Sequence, residues 1–79
     1  MQKIILYTTA GCHLCEQAEE LLRYVASEVA VEWQPVDIAD DPSLLERYGI
    51  RIPVLQREDD GSELGWPFDI DGLRFFLSV

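Results

Sequence analysis

Lys3–Cys15 reads KIILYTTAGCHLC, and the remainder of the chain is best understood outward from it. Lys3 to Tyr7 is a short β-branched and apolar run that ends in Thr8, Thr9, Ala10 and Gly11, the pattern of a buried strand running into a loop. A helix follows. Leu14, Ala18, Leu21, Leu22 and Val25 recur at i, i+4, i+7, i+8 and i+11, an apolar stripe of helical period, while Glu16, Glu19, Glu20 and Arg23 fall mostly off it. Glu19 and Arg23 stand in the favourable i, i+4 order. Val31–Asp37 (VEWQPVD) then supplies a second strand, whose Pro35 cannot donate to a central ladder and so places it at a sheet edge.

Downstream, Asp41 is positioned to cap a short helix over Pro42–Tyr48, with Pro42 at its first position and Gly49 just past its end. Strands at Val54–Arg57 and Glu63–Trp66 flank Glu58-Asp59-Asp60-Gly61, where Asp-Gly supplies the positive φ a hairpin turn needs. Asp69 caps a last helix over Asp71–Leu77, with Leu73, Phe76 and Leu77 turned to the core. The order β-α-β-α-β-β-α defines an α/β chain: a parallel pair joined by a right-handed crossover, then an antiparallel hairpin. Together these make a mixed four-stranded sheet with helices packed on its faces. The 79 residues, 48% apolar and 27% charged, suit one domain over 1–79 and a single core.

Composition excludes several classes of function. Six basic against fifteen acidic residues leave a net charge of -9, which argues against nucleic acid and anionic membrane surfaces, since both are bound largely through Lys and Arg. No apolar run reaches the length of a membrane span, and the stretch after Met1 is too short in apolar residues for a signal peptide. A cytoplasmic protein is expected. Two cysteines are too few for the disulfide framework of a secreted mini-protein.

Cys12-His13-Leu14-Cys15 lies where the first strand hands over to the first helix. Cysteines three apart at a helix start can close a small disulfide ring, and the leading sulfur sits near unpaired helix N–H groups and the positive dipole end, which favour the thiolate. Cys12, at the solvent-facing end, is the expected nucleophile, and Cys15, one turn in, the resolving thiol. His13, if protonated, stabilises the thiolate; it is equally well an exposed loop histidine. Competing readings are half of a zinc site, for which His13 alone remains to help, and a pair of inert buried cysteines. Pro53 opens the third strand, either as an ordinary trans proline or as a cis one that exposes the backbone of Ile52 to an extended substrate.

YTTAGCHLC and IPVL, about forty residues apart, resemble the thioredoxin superfamily, and the chain length and element order resemble its glutaredoxin branch. The resemblance covers nearly the whole chain and implies a thioredoxin-like fold with sheet order 2-1-3-4. It also implies a thiol-disulfide oxidoreductase with Cys12 as nucleophile, Cys15 resolving and Pro53 cis. Glutathione-using members typically carry a lysine shortly before the first cysteine, where Thr9 stands, and Cys-Pro-Tyr-Cys, where Cys12-His13-Leu14-Cys15 stands. Their Thr-Val-Pro is Arg51-Ile52-Pro53 here, their glycine pair is Gly65-Trp66, and the acid that receives the glutathione amino group aligns with Asp69.

The lost lysine removes a carboxylate partner, for which Arg51 is the substitute, and Trp66 fills space that the tripeptide needs. The run Leu64–Asp69 after IPVL looks more like the small bacterial glutaredoxin-like proteins. The expected substrate-binding set is His13, Leu14, Arg51, Ile52, Pro53, Trp66 and Asp69. Expected partners are a disulfide-containing protein or a small thiol or disulfide, acting on a monomer with no metal and no resident cofactor, and with glutathione as a co-substrate. Two other functions compete. One is a binding module that recognises a partner through Ile52, Pro53, Trp66 and Phe68. The other is a glutathione-assisted iron-sulfur cluster bridged between two copies.

Overall fold

The computed structural model describes residues 2–77. Four strands, β1 (Gln2–Thr8), β2 (Val31–Asp37), β3 (Val54–Arg57) and β4 (Glu63–Gly65), form one sheet in the order β2-β1-β3-β4. β1 runs parallel to β2 from Gln2↔Val31 to Thr8↔Asp37 and antiparallel to β3 from Ile4↔Arg57 to Tyr7↔Val54. β3 and β4 pair antiparallel from Val54↔Gly65 to Gln56↔Glu63. β2 therefore takes the edge that Pro35 demanded, and the mixed thioredoxin-like sheet is as expected.

Three helices cover the sheet: α1 (His13–Ala26), α2 (Pro42–Tyr48) and α3 (Ile70–Phe76). The alternation of a strand sends neighbouring side chains to opposite faces, and it sorts the buried residues into two clusters. Ile4, Leu6 and Leu55 pack with Leu22 and Val25 of α1 and with Leu73 and Leu77 at α3. Tyr7 and Val54 point the other way, onto Tyr48 of α2 and Ile38 of a single 3-10 turn. The single core expected from chain length is thus divided by the sheet. Layering both faces leaves each cluster small, so each buried Leu or Ile, contributing about 1.5 to 3 kcal/mol, matters.

Several boundaries and details differ from the reading of the sequence. α1 buries Cys15, Ala18, Leu22 and Val25, whereas Leu14 is 44% exposed. Both Leu14 and Cys15 lie within one turn of Ala18; Cys15 takes the inward position and rotates Leu14 about 100° out of it. β4 stops at Gly65 rather than Trp66, ahead of a cis Trp66–Pro67 bond. α3 starts at Ile70, directly after its cap, and stops at Phe76. Gly49 ends α2 in the right-handed region, at φ -46 and ψ -43, so a left-handed terminus is not the reason for a glycine there. A Cβ on Gly49 would fall 2.5 Å from the Leu45 carbonyl oxygen. Gly61 in the β3–β4 turn does take the positive φ that Asp-Gly suggested.

Candidate functional site

β1 ends at Thr8, and the chain turns at Gly11, whose φ of 76° suits glycine, to deliver Cys12 as the N-cap of α1. Cys12 has extended backbone angles, φ -88 and ψ 104. Its carbonyl accepts the first helical bond from Glu16, and its Sγ accepts from the Cys15 backbone N–H at 3.1 Å. The sulfur thus occupies the place a Ser or Asp oxygen normally fills at a helix start. A thiolate there gains more from that N–H and from the dipole than a neutral thiol does.

Cys15 is 4% exposed and Cys12 is half-buried, with their Cα atoms 5.2 Å apart and their sulfurs at disulfide distance. The pair is therefore asymmetric, with one sulfur accessible and one behind it. A hollow is lined by Cys12 and Cys15 together with Thr9, Gly11, Glu16 and Pro35. His13 lies outside it, its side chain 90% exposed and its Nδ1 3.5 Å from Glu16 Oε2. Leu14 is left on the surface of the same helical turn. Among the described residues, no group of three or more His, Cys, Asp or Glu side chains is placed to hold a metal ion. None of the helices among them is long and apolar enough to cross a membrane.

The second element of the site comes from sheet register. Tyr7 pairs with Val54, so buried Pro53 lies beside Thr8, at the strand end from which the Cys12 loop departs. The Ile52–Pro53 bond is cis, the isomer that the resemblance implied. The Pro53 carbonyl accepts the Trp66 backbone N–H at 3.1 Å, which ties the turn after β4 to the proline. Trp66 and Phe68 stack edge to face at 5.1 Å, and Phe68 also packs against the core cluster under α1 and α3. Asp69 Oδ1 accepts from Gly72 N at 2.7 Å and so caps α3.

Arg51 is half exposed and engaged rather than isolated: Nη2 lies 3.4 Å from Glu63 Oε1, and the guanidinium carbon 5.5 Å from the Tyr48 ring centroid. The Tyr48 hydroxyl donates to Glu63 Oε2 at 2.5 Å, and its ring stacks on Tyr7 at 4.2 Å. Burial, followed by the hydrogen bond to Glu63, pushes the Tyr48 phenol up to about 12. Sequence reasoning did not single out Tyr48 or Glu63. Nothing in helical or strand period marks them, because they meet across a loop and a hairpin.

A sheet ordered β2-β1-β3-β4, with a Cys-x-x-Cys at the start of α1 and a cis proline opening β3, defines a thioredoxin-fold protein. Comparison with known proteins narrows the class. Residues 3–78 match the family model described as Glutaredoxin-like domain (DUF836), and the chain belongs to that family. The X-ray structure of XcR50 from X. campestris is 44% identical, with 95% of each chain covered and a TM-score of 0.81. The solution structure of protein Ne2328 from Nitrosomonas europaea is 29% identical over 95% of this chain and 89% of that one, with a TM-score of 0.83. A thioredoxin variant from Halobacterium salinarum, 21% identical over 98% of this chain and 72% of its own, has a TM-score of 0.74 and speaks for the fold alone. A search of the curated proteins finds no match to the chain.

Proposed function

We propose that this protein is a cytoplasmic, monomeric thiol-disulfide oxidoreductase that reduces protein or small-molecule disulfides through Cys12 and Cys15. The observation that carries the reading is the Cys12 sulfur set as the cap of α1, with buried Cys15 donating its backbone N–H to it. In the reaction, Cys12 thiolate attacks one sulfur of a substrate disulfide, forming a mixed disulfide and releasing the first substrate thiolate. Cys15, after losing its proton to solvent, attacks the Cys12 sulfur and releases the second. Two electrons pass to the substrate, and the Cys12–Cys15 pair is left oxidised. An external thiol reductant resets it by the reverse exchange.

Glutathione is one candidate reductant or co-substrate. Thr9 in place of a cation and Trp66 in place of a glycine weigh against a tight site for it, and Arg51 is partly neutralised by Glu63. The net charge of -9 points the same way, since a negative protein disfavours an anionic tripeptide relative to a neutral or basic segment. The cis Pro53 edge, with Ile52 before it and Leu14 and His13 across the Cys12 loop, is the proposed docking face for the substrate backbone. Cys15→Ser protein offered a peptide disulfide tests the mechanism. Mass spectrometry of the native protein is expected to find one adduct, on Cys12; no adduct, or one formed only after denaturation, overturns it.

A further inference from the structure

The segment from Gly49 to Pro53 carries the proposed docking edge: its end is seated in the core, with Pro53 buried and Ile52 packed on the Tyr7–Tyr48 cluster, whereas Ile50 is 101% exposed and Arg51 half exposed. The exposed middle of the segment is anchored on Tyr48. The Tyr48 carbonyl accepts both the Arg51 N–H at 2.7 Å and the Ile52 N–H at 3.1 Å, so the last residue of α2 sets the backbone that leads into the cis bond. Tyr48 is itself fully buried and fixed on two further sides, by its ring on Tyr7 of β1 and by its hydroxyl on Glu63 of β4. Glu63 returns to the same segment through its other oxygen, which meets the Arg51 guanidinium.

We infer that Tyr48, Glu63 and Arg51 form a positioning clamp, which holds the Ile52–Pro53 backbone in register with the Cys12 sulfur for substrates that dock as an extended peptide. This rests on the oxidoreductase reading above and adds to it the residues that act on peptide substrates without touching the sulfurs. Glu63 is the pivot, because its two oxygens bind Tyr48 and Arg51. The clamp reaches substrate only through the backbone it fixes. A disulfide without a peptide backbone has nothing to dock there and is insensitive to it.

That contrast supplies the test. Reduced wild type, Glu63→Gln and Tyr48→Phe, which keeps the ring on Tyr7 and loses the hydroxyl given to Glu63, are each mixed with insulin, as a peptide disulfide, and with 2-hydroxyethyl disulfide, with dithiothreitol as the recycling reductant. The Cys12–Cys15 potential is measured for each. Both variants leave the cores intact. Misplacing a docked group by about an ångström can cost as much as about a hundredfold, and a loosened rather than lost clamp predicts about a tenfold rise in KM for insulin. The rate with 2-hydroxyethyl disulfide and the potential are expected to stay within twofold and unchanged, respectively. Equal slowing on both substrates, or no change on insulin, overturns the clamp while leaving the oxidoreductase reading standing. Wild type that reduces neither substrate overturns both.

Discussion

Raising the pH tests the burial of the Tyr48 hydroxyl. A phenol normally ionises near 10, and in the folded protein Tyr48 is held up to about 12, first by burial and then by the hydroxyl given to Glu63. Between those values the unfolded chain has lost the Tyr48 proton while the folded chain keeps it, so the unfolded state binds fewer protons and stability must fall as pH rises. The contribution is fully present below pH 10 and gone above 12. Every tenfold gain in proton affinity on folding is worth about 1.4 kcal/mol, so the rise from 10 to about 12 corresponds to roughly 3 kcal/mol, an order-of-magnitude figure, for a side chain that is fully buried.

Tyr48→Phe removes this titration but keeps the ring stacked on Tyr7, and it loses the hydrogen bond to a partly exposed carboxylate, about 1.5 kcal/mol at neutral pH. Urea denaturation of wild type and Tyr48→Phe from pH 8 to 12 is the assay. The other titrations are common to both proteins, so the difference between the two curves isolates Tyr48. Wild type is expected to begin about 1.5 kcal/mol more stable and to lose that advantage, then fall below the variant, as the pH passes through the window. Two curves that run parallel throughout would refute a Tyr48 hydroxyl buried on Glu63.

Two further perturbations test the packing that positions the site. Leu22→Ala empties a fully buried position between α1 and the sheet and is expected to cost about 2 to 5 kcal/mol, read from the shift in urea midpoint; less than 1 kcal/mol would mean the site collapses or that the stripe is misassigned. Gly49→Ala is a test of sign. At ordinary right-handed angles, replacing glycine by alanine stabilises by about 0.4 to 1 kcal/mol, but here the new Cβ meets the Leu45 carbonyl oxygen at 2.5 Å, so a loss of about 1 to 3 kcal/mol is expected by thermal melting and a gain would contradict the contact.

How far the sequence reached depended on whether a feature was local. β2, α2 and β3 have the bounds read from Val31–Asp37, Pro42–Tyr48 and Val54–Arg57, because an apolar run, an Asp-Pro start or a proline marks each end. The Cys12–Cys15 pair at a helix start was equally legible, since cap position and spacing are local. The Leu14 assignment failed because a 3.6-residue stripe admits either Leu14 or Cys15 as its first member, and only packing under α1 chooses between them. The cis bond before Pro67 had no signal beyond an X-Pro pair, which is most often trans. Tyr48, Glu63 and Arg51 were hardest. Their meeting depends on where α2 ends relative to β4, which is a consequence of sheet register and not of any short pattern. Arg51 was singled out as a cation for substrate, and the structure sets it against Glu63.

The most direct test of the account is a redox titration of the Cys12–Cys15 pair in glutathione buffers, followed by thiol alkylation and mass spectrometry on the native protein. A cap sulfur that accepts the Cys15 N–H, with a second cysteine three residues on, predicts one reversible two-electron transition inside the range of dithiol proteins, about -270 to -120 mV. Thiols that stay reduced across that whole range, or that oxidise only to mixed species with glutathione and never to the Cys12–Cys15 disulfide, would contradict it.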